Sequence, residues 1–251
     1  MTSDGEALLR AVCENPRDDT PRLIYADWLE ENGQPERAAF IRFSCEYPNP
    51  LLSYPQGREL LERSRQFDDW EVKWGAELPA LPGVKWDTVL LERGFTTSVT
   101  FSSAKAFTAH ADAVFAAAPV QRLCVKQVTA RTSAAVIGSP YLRRLTQLIL
   151  WGRCGAAGGR RFADCPYVSQ LEALCLWCGC ADDAAEALAA CPNFGRLDCL
   201  SFSGHALTDR GVTALIDSAH LGSVRRLVLH GTHDLSASVV RRIKKRYDSF
   251  H

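Results

Sequence analysis

The sequence carries no excess of charge of either sign. Its 29 lysines and arginines match 29 aspartates and glutamates, which removes the simplest electrostatic case for nucleic acid or an anionic membrane as a partner. No apolar run approaches the roughly 18 residues of a membrane span, so no membrane association is expected. The opening MTSDGEALLRAV is acidic, without the basic and long apolar segments of a secretory leader. G-x-S-x-G, a phosphate-binding glycine loop and H-E-x-x-H are all missing. The six histidines fall at 110, 205, 220, 230, 233 and 251. Of these only His230 and His233, with Asp234, resemble a base and its orienter, and they follow the last predicted strand, where polar turn residues are expected. No catalysis, cofactor or small-molecule substrate is therefore expected.

Turning to what is present, 251 residues suffice for a sizeable core. The ten cysteines are distributed unlike a secreted disulfide framework. Cys13, Cys45 and Cys124 are scattered singly, and seven more lie between Cys154 and Cys199. Most occupy slots that other segments fill with Ala, Ser or Leu, as free thiols in a reduced core do. A cytoplasmic location is expected.

The first third reads as helical. Ser3 and Glu6 form a capping-box pattern before ALLRAVCEN. In DDTPRLIYADWLEENG, Thr20 is the predicted N-cap, Pro21 tolerates a missing N–H in the first turn, and Gly33 is the left-handed stop. A helical wheel groups Ile24, Tyr25, Trp28 and Leu29 on an apolar face opposite Asp27, Glu30 and Glu31. PERAAFIRFSCEY predicts a third helix, Pro48 to Pro55 a connector, and Gly57 to Glu77 a further amphipathic helix. VKWDTVLLERGFTTSVTF then changes to β-like runs around a turn at Gly94.

From there the chain repeats. VQRLCV from Val120, LTQLIL from Leu145, LEALCL from Leu171, LDCLSF from Leu197 and VRRLVL from Val224 share one apolar pattern at steps of 25, 26, 26 and 27 residues. TTSVTF from Thr96 is a degenerate copy 24 residues before Val120. Pro119, Pro140, Pro166 and Pro192 keep phase, and alanine-rich helical stretches fill the intervals. The period is that of a leucine-rich repeat. The asparagine such repeats place after the strand is replaced by Arg153, Gly179, His205 and Thr232, so no regular asparagine ladder is expected.

The predicted fold is α/β. A right-handed leucine-rich-repeat solenoid of five or six coils spans residues 81–251, with a parallel sheet on its concave face, helices on its convex face and a basic C-terminal capping helix. A small all-α module, residues 1–80, precedes it. The stretch NPRDDTPRLIYADWLEENGQPERAAFIRF resembles the bacterial repeat-companion domain, a helical module found with repeat arrays, and RGFTTSVTF with AHADAVFAAAPVQRLCV resembles the junction by which such proteins enter their repeats. That resemblance implies an architecture and no activity.

The repeat period also says which residues face away from the core. The outward slots read Arg122, Gln147, Ala173, Cys199, Arg226; then Cys124, Ile149, Cys175, Ser201, Val228; then Lys126, Trp151, Trp177, Ser203, His230. Trp151 and Trp177 should stand side by side, one strand apart at roughly 5 Å, with Ile149 and Cys175 beside them and Lys126, His230, Arg122 and Arg226 around them. Aromatic residues within a polar rim are the anatomy of a protein-binding hot spot, so an unidentified protein partner is expected on this face. The competing expectation is that the chain covers the face itself.

Two other readings stay open. CLWCGC sets Cys175, Cys178 and Cys180 together, with Cys154 in the slot of Cys180 one repeat earlier, a zinc-like or redox-sensing grouping that lacks a second C-x-x-C. Cys165 and Cys191, before the repeating proline, read as plain core. The terminal VVRRIKKRYDSFH carries Arg241, Arg242, Lys244, Lys245 and Arg246 beside an apolar stripe of Val239, Val240, Ile243 and Tyr247. It suits a polar cap on the last repeat, or else a nucleic-acid patch.

Overall fold

The structure is a computed structural model, and it describes residues 3–47, 70–179, 181–203, 207–231 and 235–250. The protein is mixed α/β and divides into two compact units. One comprises Met1–Val99 with His110–Gln121, the other Thr100–Ala109 with Arg122–His251.

The first unit contains α1 (Ser3–Glu14), α2 (Thr20–Glu31), α3 (Pro35–Glu46), α4 (Trp70–Gly75) and β1 (Val84–Glu92), and most of β2 (Phe95–Phe101) and α5 (Ala104–Ala117). Its core gathers Val12, Tyr25, Ala26, Leu29, Ala38, Ile41 and Phe95, of which Val12, Leu29, Ile41 and Phe95 contribute about 1.5–3 kcal/mol each on burial. The Tyr25 ring stacks on Trp28 at 5.9 Å.

Three details of this unit differ from expectation. Ile24 is not on the buried face but 48% exposed. The inward arc of α2 is Arg22, Tyr25, Ala26 and Leu29, and Ile24 is rotated about 200° from Arg22. Arg22 is fully buried because its guanidinium donates to the carbonyls of Asp18 (2.7 Å) and Pro16 (2.8 Å) and lies over the Phe95 ring. Thr20 is within α2 and not its cap; the Asp18 carboxylate takes the Thr20 N–H at 2.8 Å. Ser3 likewise lies inside α1, its hydroxyl turned to Asp4.

The predicted stop at Gly33 holds. With φ +79°, Gly33 donates to the Glu30 carbonyl while Gln34 donates to that of Leu29, closing a Schellman motif. Arg93 and Gly94, both at positive φ, make the turn between β1 and β2. The predicted connector Pro48–Pro55 lies outside the described residues, as does the predicted helix over 57–77 up to α4.

The second unit alternates strands and helices: β3 (Arg122–Thr129), α6 (Ser133–Ile137), β4 (Gln147–Arg153), α7 (Gly155–Ala163), β5 (Ala173–Trp177), α8 (Asp182–Ala189), β6 (Cys199–Ser203), α9 (Asp209–Asp217), β7 (Arg226–His230), α10 (Ala237–Arg246) and β8 (Ser249–Phe250). Strands β3 to β8 pair in chain order, every pair parallel. Leu148, Leu174, Leu200 and Leu227 register side by side, as do Leu150, Leu176, Phe202 and Leu229. All are buried. Leu142, Val168, Phe194 and Leu221 form a further buried row beneath the strand starts.

Successive repeats are tied by polar bonds, among them one from the Asn193 side-chain amide to the Cys165 carbonyl at 3.2 Å. Cys165 and Cys191 are buried in the core as expected, and their thiols also bond: that of Cys165 donates to the carbonyl of Ile137 at 3.0 Å, that of Cys191 to Phe162 at 3.5 Å, and the hydroxyl of Ser218, in the same slot, to Ala189. These carbonyls belong to the last turns of α6, α7 and α8, which lack intrahelical donors. At the opposite helix ends, Asp182 accepts from Thr208, and Asp209 accepts the N–H of Ser236 at 2.9 Å.

Candidate functional site

Strand pleating sends alternate residues to the face away from this core, and the parallel register aligns them in rows. Arg122, Gln147, Ala173, Cys199 and Arg226 form one row, and Cys124, Ile149, Cys175, Ser201 and Val228 the next. Beyond them Trp151 registers with Trp177. Their rings meet edge to face with centroids 4.2 Å apart and planes at 76°, a favourable quadrupolar arrangement. Trp177 stands on Ser201, donating Nε1–H to its hydroxyl at 3.3 Å, and meets the His230 ring at 6.1 Å and 82°. This contact explains why Ser201 is buried on an outward row. Trp151 is 42% exposed, and among the described residues the only other large apolar side chains so open are Leu23 and Ile24, neighbours on α2.

Lys126 departs from its simple slot. Leu150 pairs with Val125 but Gly152 pairs with Val128, so Lys126 and Gln127 together oppose Trp151 in a β-bulge, with Gln127 at φ +52°. Gly152 makes room for it. At φ +150° it occupies a backbone region that favours glycine, and an added Cβ would lie 2.1 Å from the Val128 carbonyl oxygen. Arg226 does not point freely at the face; Asp198 holds it through two bonds of 3.1 and 2.9 Å.

The thiols on this face are protonated at neutral pH. Burial, then the neighbouring Cys199 and Cys124, push Cys175 up to about 11, and burial raises Cys124 and Cys199 as well. Cys154 and Cys178 lie buried at the ends of β4 and β5. The Cys154 N–H donates to the Cys178 carbonyl at 3.0 Å, and a hydrogen bond between the two thiols, together with burial, raises the Cys154 pKa strongly. Among the described residues no three His, Cys, Asp or Glu side chains converge as metal ligands. Cys180, His205, His233 and Asp234 lie outside the described residues.

The basic helix α10 buries Val239 and Ile243, and Tyr247 just after it, against the last repeat, with Val240 partly covered. Arg242 pairs with Asp217, and Arg246 donates to the carbonyls of Leu221 and Val224 at 3.0 and 3.3 Å. Arg241, Lys244 and Lys245 stay exposed.

The first unit holds a cavity of about 640 Å³ that the sequence did not signal, bordered by Tyr25, Arg37, Trp74, Glu77 and Phe95. Arg37 crosses the Trp74 ring at 5.3 Å and pairs with Glu77, while its Nε is buried without a hydrogen-bond partner. Asp182 and Asp209, 27 residues apart at the first positions of α8 and α9, were the legible trace of the carboxylate ladder. Nothing local marked the bulge at Lys126 except the glycine opposite it.

No known family model and no curated protein sequence matches the chain. Among the described residues, no helix is long and apolar enough to cross a membrane.

Proposed function

We propose that the protein is a non-catalytic interaction module, a leucine-rich-repeat solenoid preceded by a repeat-companion-like helical module, which binds a protein partner through the face that carries Trp151 and Trp177. The observation behind this reading is the Trp151 ring itself, 42% exposed and braced edge to face against Trp177. A large aromatic held rigidly in water loses little entropy when a partner covers it, which is the property of a hot-spot residue. The in-register rows at 25 to 27 residues support the solenoid. Ile149, Cys175, Lys126, His230, Arg122 and Arg226 complete the contact surface in this reading.

The rival readings have weaker support. The Cys154 and Cys178 thiols are engaged with each other rather than aimed at a shared centre, and Arg242 and Arg246 of the basic helix serve to fasten it. The deciding experiment compares thermal melts and partner capture for Trp151→Ala and Trp177→Ala. Trp151→Ala should keep the melting temperature and cost about 2 kcal/mol or more of binding. Trp177→Ala should lose binding and some stability, since it also covers Ser201. A Trp151→Ala protein that binds its partner fully would overturn the reading.

A further inference from the structure

The charge on the tryptophan face narrows the kind of partner it takes. Strands β3 to β7 contain Arg122, Lys126, Arg153 and Arg226, and not one Asp or Glu, in a chain whose 29 basic and 29 acidic residues cancel as a whole. The nearest acids in sequence, Glu172 and Asp198, precede β5 and β6 and so lie at the strand starts, away from the tryptophans. Asp198 is engaged with Arg225 and Arg226. At the strand ends the situation is different. Lys126 opposes Trp151 in the bulge, and Arg153, two residues past Trp151, registers with Thr129. Both cations are exposed, and neither takes part in an ion pair among the described residues.

The ring geometry supplies the second constraint. Trp151 and Trp177 meet at 76°, and Trp177 and His230 at 82°. No two adjacent rings are parallel, so successive nucleic-acid bases have no stacking platform of the kind single-strand binders use. Two rings at a right angle form instead a corner that matches one bulky apolar side chain.

Resting on the interaction reading above, we infer that the partner is an acidic linear peptide segment. It seats one bulky apolar or aromatic side chain in the Trp151–Trp177 corner and lays its carboxylates against Lys126 and Arg153. In an extended segment alternate side chains project to one side, so acidic residues flanking the anchor reach the cations at the rim. Complementary charge of this kind sets the choice of partner and the association rate.

The test is selection of a phage-displayed random dodecapeptide library on the full-length protein, with the Trp151→Ala/Trp177→Ala protein, checked for folding by circular dichroism, as the counter-selection. Enriched sequences should be net acidic around a Trp, Phe or Leu. A synthetic peptide of the consensus should bind more weakly as salt is raised. Lys126→Glu/Arg153→Glu should weaken it by about tenfold or more and turn the selection toward basic sequences. Enrichment of neutral or basic sequences on the unmodified protein overturns this inference alone. So does a uridine oligonucleotide that binds more tightly than the peptide and depends on Trp151, which would assign the face to single-stranded nucleic acid. Equal enrichment on both proteins, or none on either, overturns the underlying reading of the face as well.

Discussion

The Asp182 carboxylate accepts the backbone N–H of Thr208 at 2.8 Å and its hydroxyl at 2.6 Å, one repeat further along the chain. It also takes the Gly211 N–H at 3.2 Å and approaches Arg210 Nε at 3.4 Å. An acid at the first turn of α8 thus satisfies the orphan donors at the start of α9, and the helix dipole of α9 favours its charge. Burial works to raise its pKa, but the bonds from Thr208, Arg210 and Gly211 outweigh burial and hold it below its ordinary value of 3.8.

Asp182→Ala should therefore destabilise the protein by about 2–3 kcal/mol, the scale of lost hydrogen bonds to a charged group. Because the folded pKa is depressed, the stabilisation is fully present above about pH 4 and is lost as pH falls through the folded value. Urea unfolding measured from pH 6 down to pH 3 should show this acid limb in the parent protein and a shallower one in Asp182→Asn.

The thiol ladder makes a different prediction. The Cys191 thiol serves the Phe162 carbonyl in a slot where Ser139 and Ser218 also occur. Cys191→Ser keeps a donor and should stay within about 1 kcal/mol of the parent protein, whereas Cys191→Ala loses the donor and leaves a small void, costing about 1–3 kcal/mol. Equal losses in denaturant melts would show that packing alone decides this position.

Gly152 couples the bulge to the tryptophan pair. Gly152→Ala places a methyl group against the Val128 backbone and should cost more than about 2 kcal/mol. It should also weaken partner binding, because β3 can no longer hold Lys126 beside Trp151. A thermal melt beside a binding curve checks both effects.

Arg22→Met should lower stability by about 2 kcal/mol or more, since the Asp18 carbonyl loses the guanidinium donor and the Pro16 carbonyl loses one of two side-chain donors. Arg22→Lys should recover little of this, because a single ammonium does not reproduce the planar fork that reaches two carbonyls. Guanidinium unfolding of both variants is the measurement.

Some of this organisation could be read directly from residue spacing. The rows Leu148–Leu174–Leu200–Leu227 and Trp151–Trp177 follow from the apolar pattern, because a one-residue slip would turn every leucine to the wrong face. The Gly33 stop was legible because a left-handed helix end has few chemical solutions. Composition misled at Ile24, which hydrophobicity grouped with the buried Tyr25 and Leu29, whereas the inward position goes to Arg22, bonded to the carbonyls of Pro16 and Asp18.

The sequence by itself determined the period, the alternation of strand and helix, and the rows to which each outward residue belongs. These are one-dimensional properties, set by side-chain size and by the two-residue repeat of a strand. Only the tertiary structure decided that Lys126 rises into a bulge, that Trp177 lies on Ser201 while Trp151 stays open, and that Cys165 and Asp182 serve neighbouring repeats. Each depends on a bond or steric limit between residues about 23 to 29 positions apart, and one residue's chemistry does not reveal which distant donor, acceptor or backbone atom it will meet.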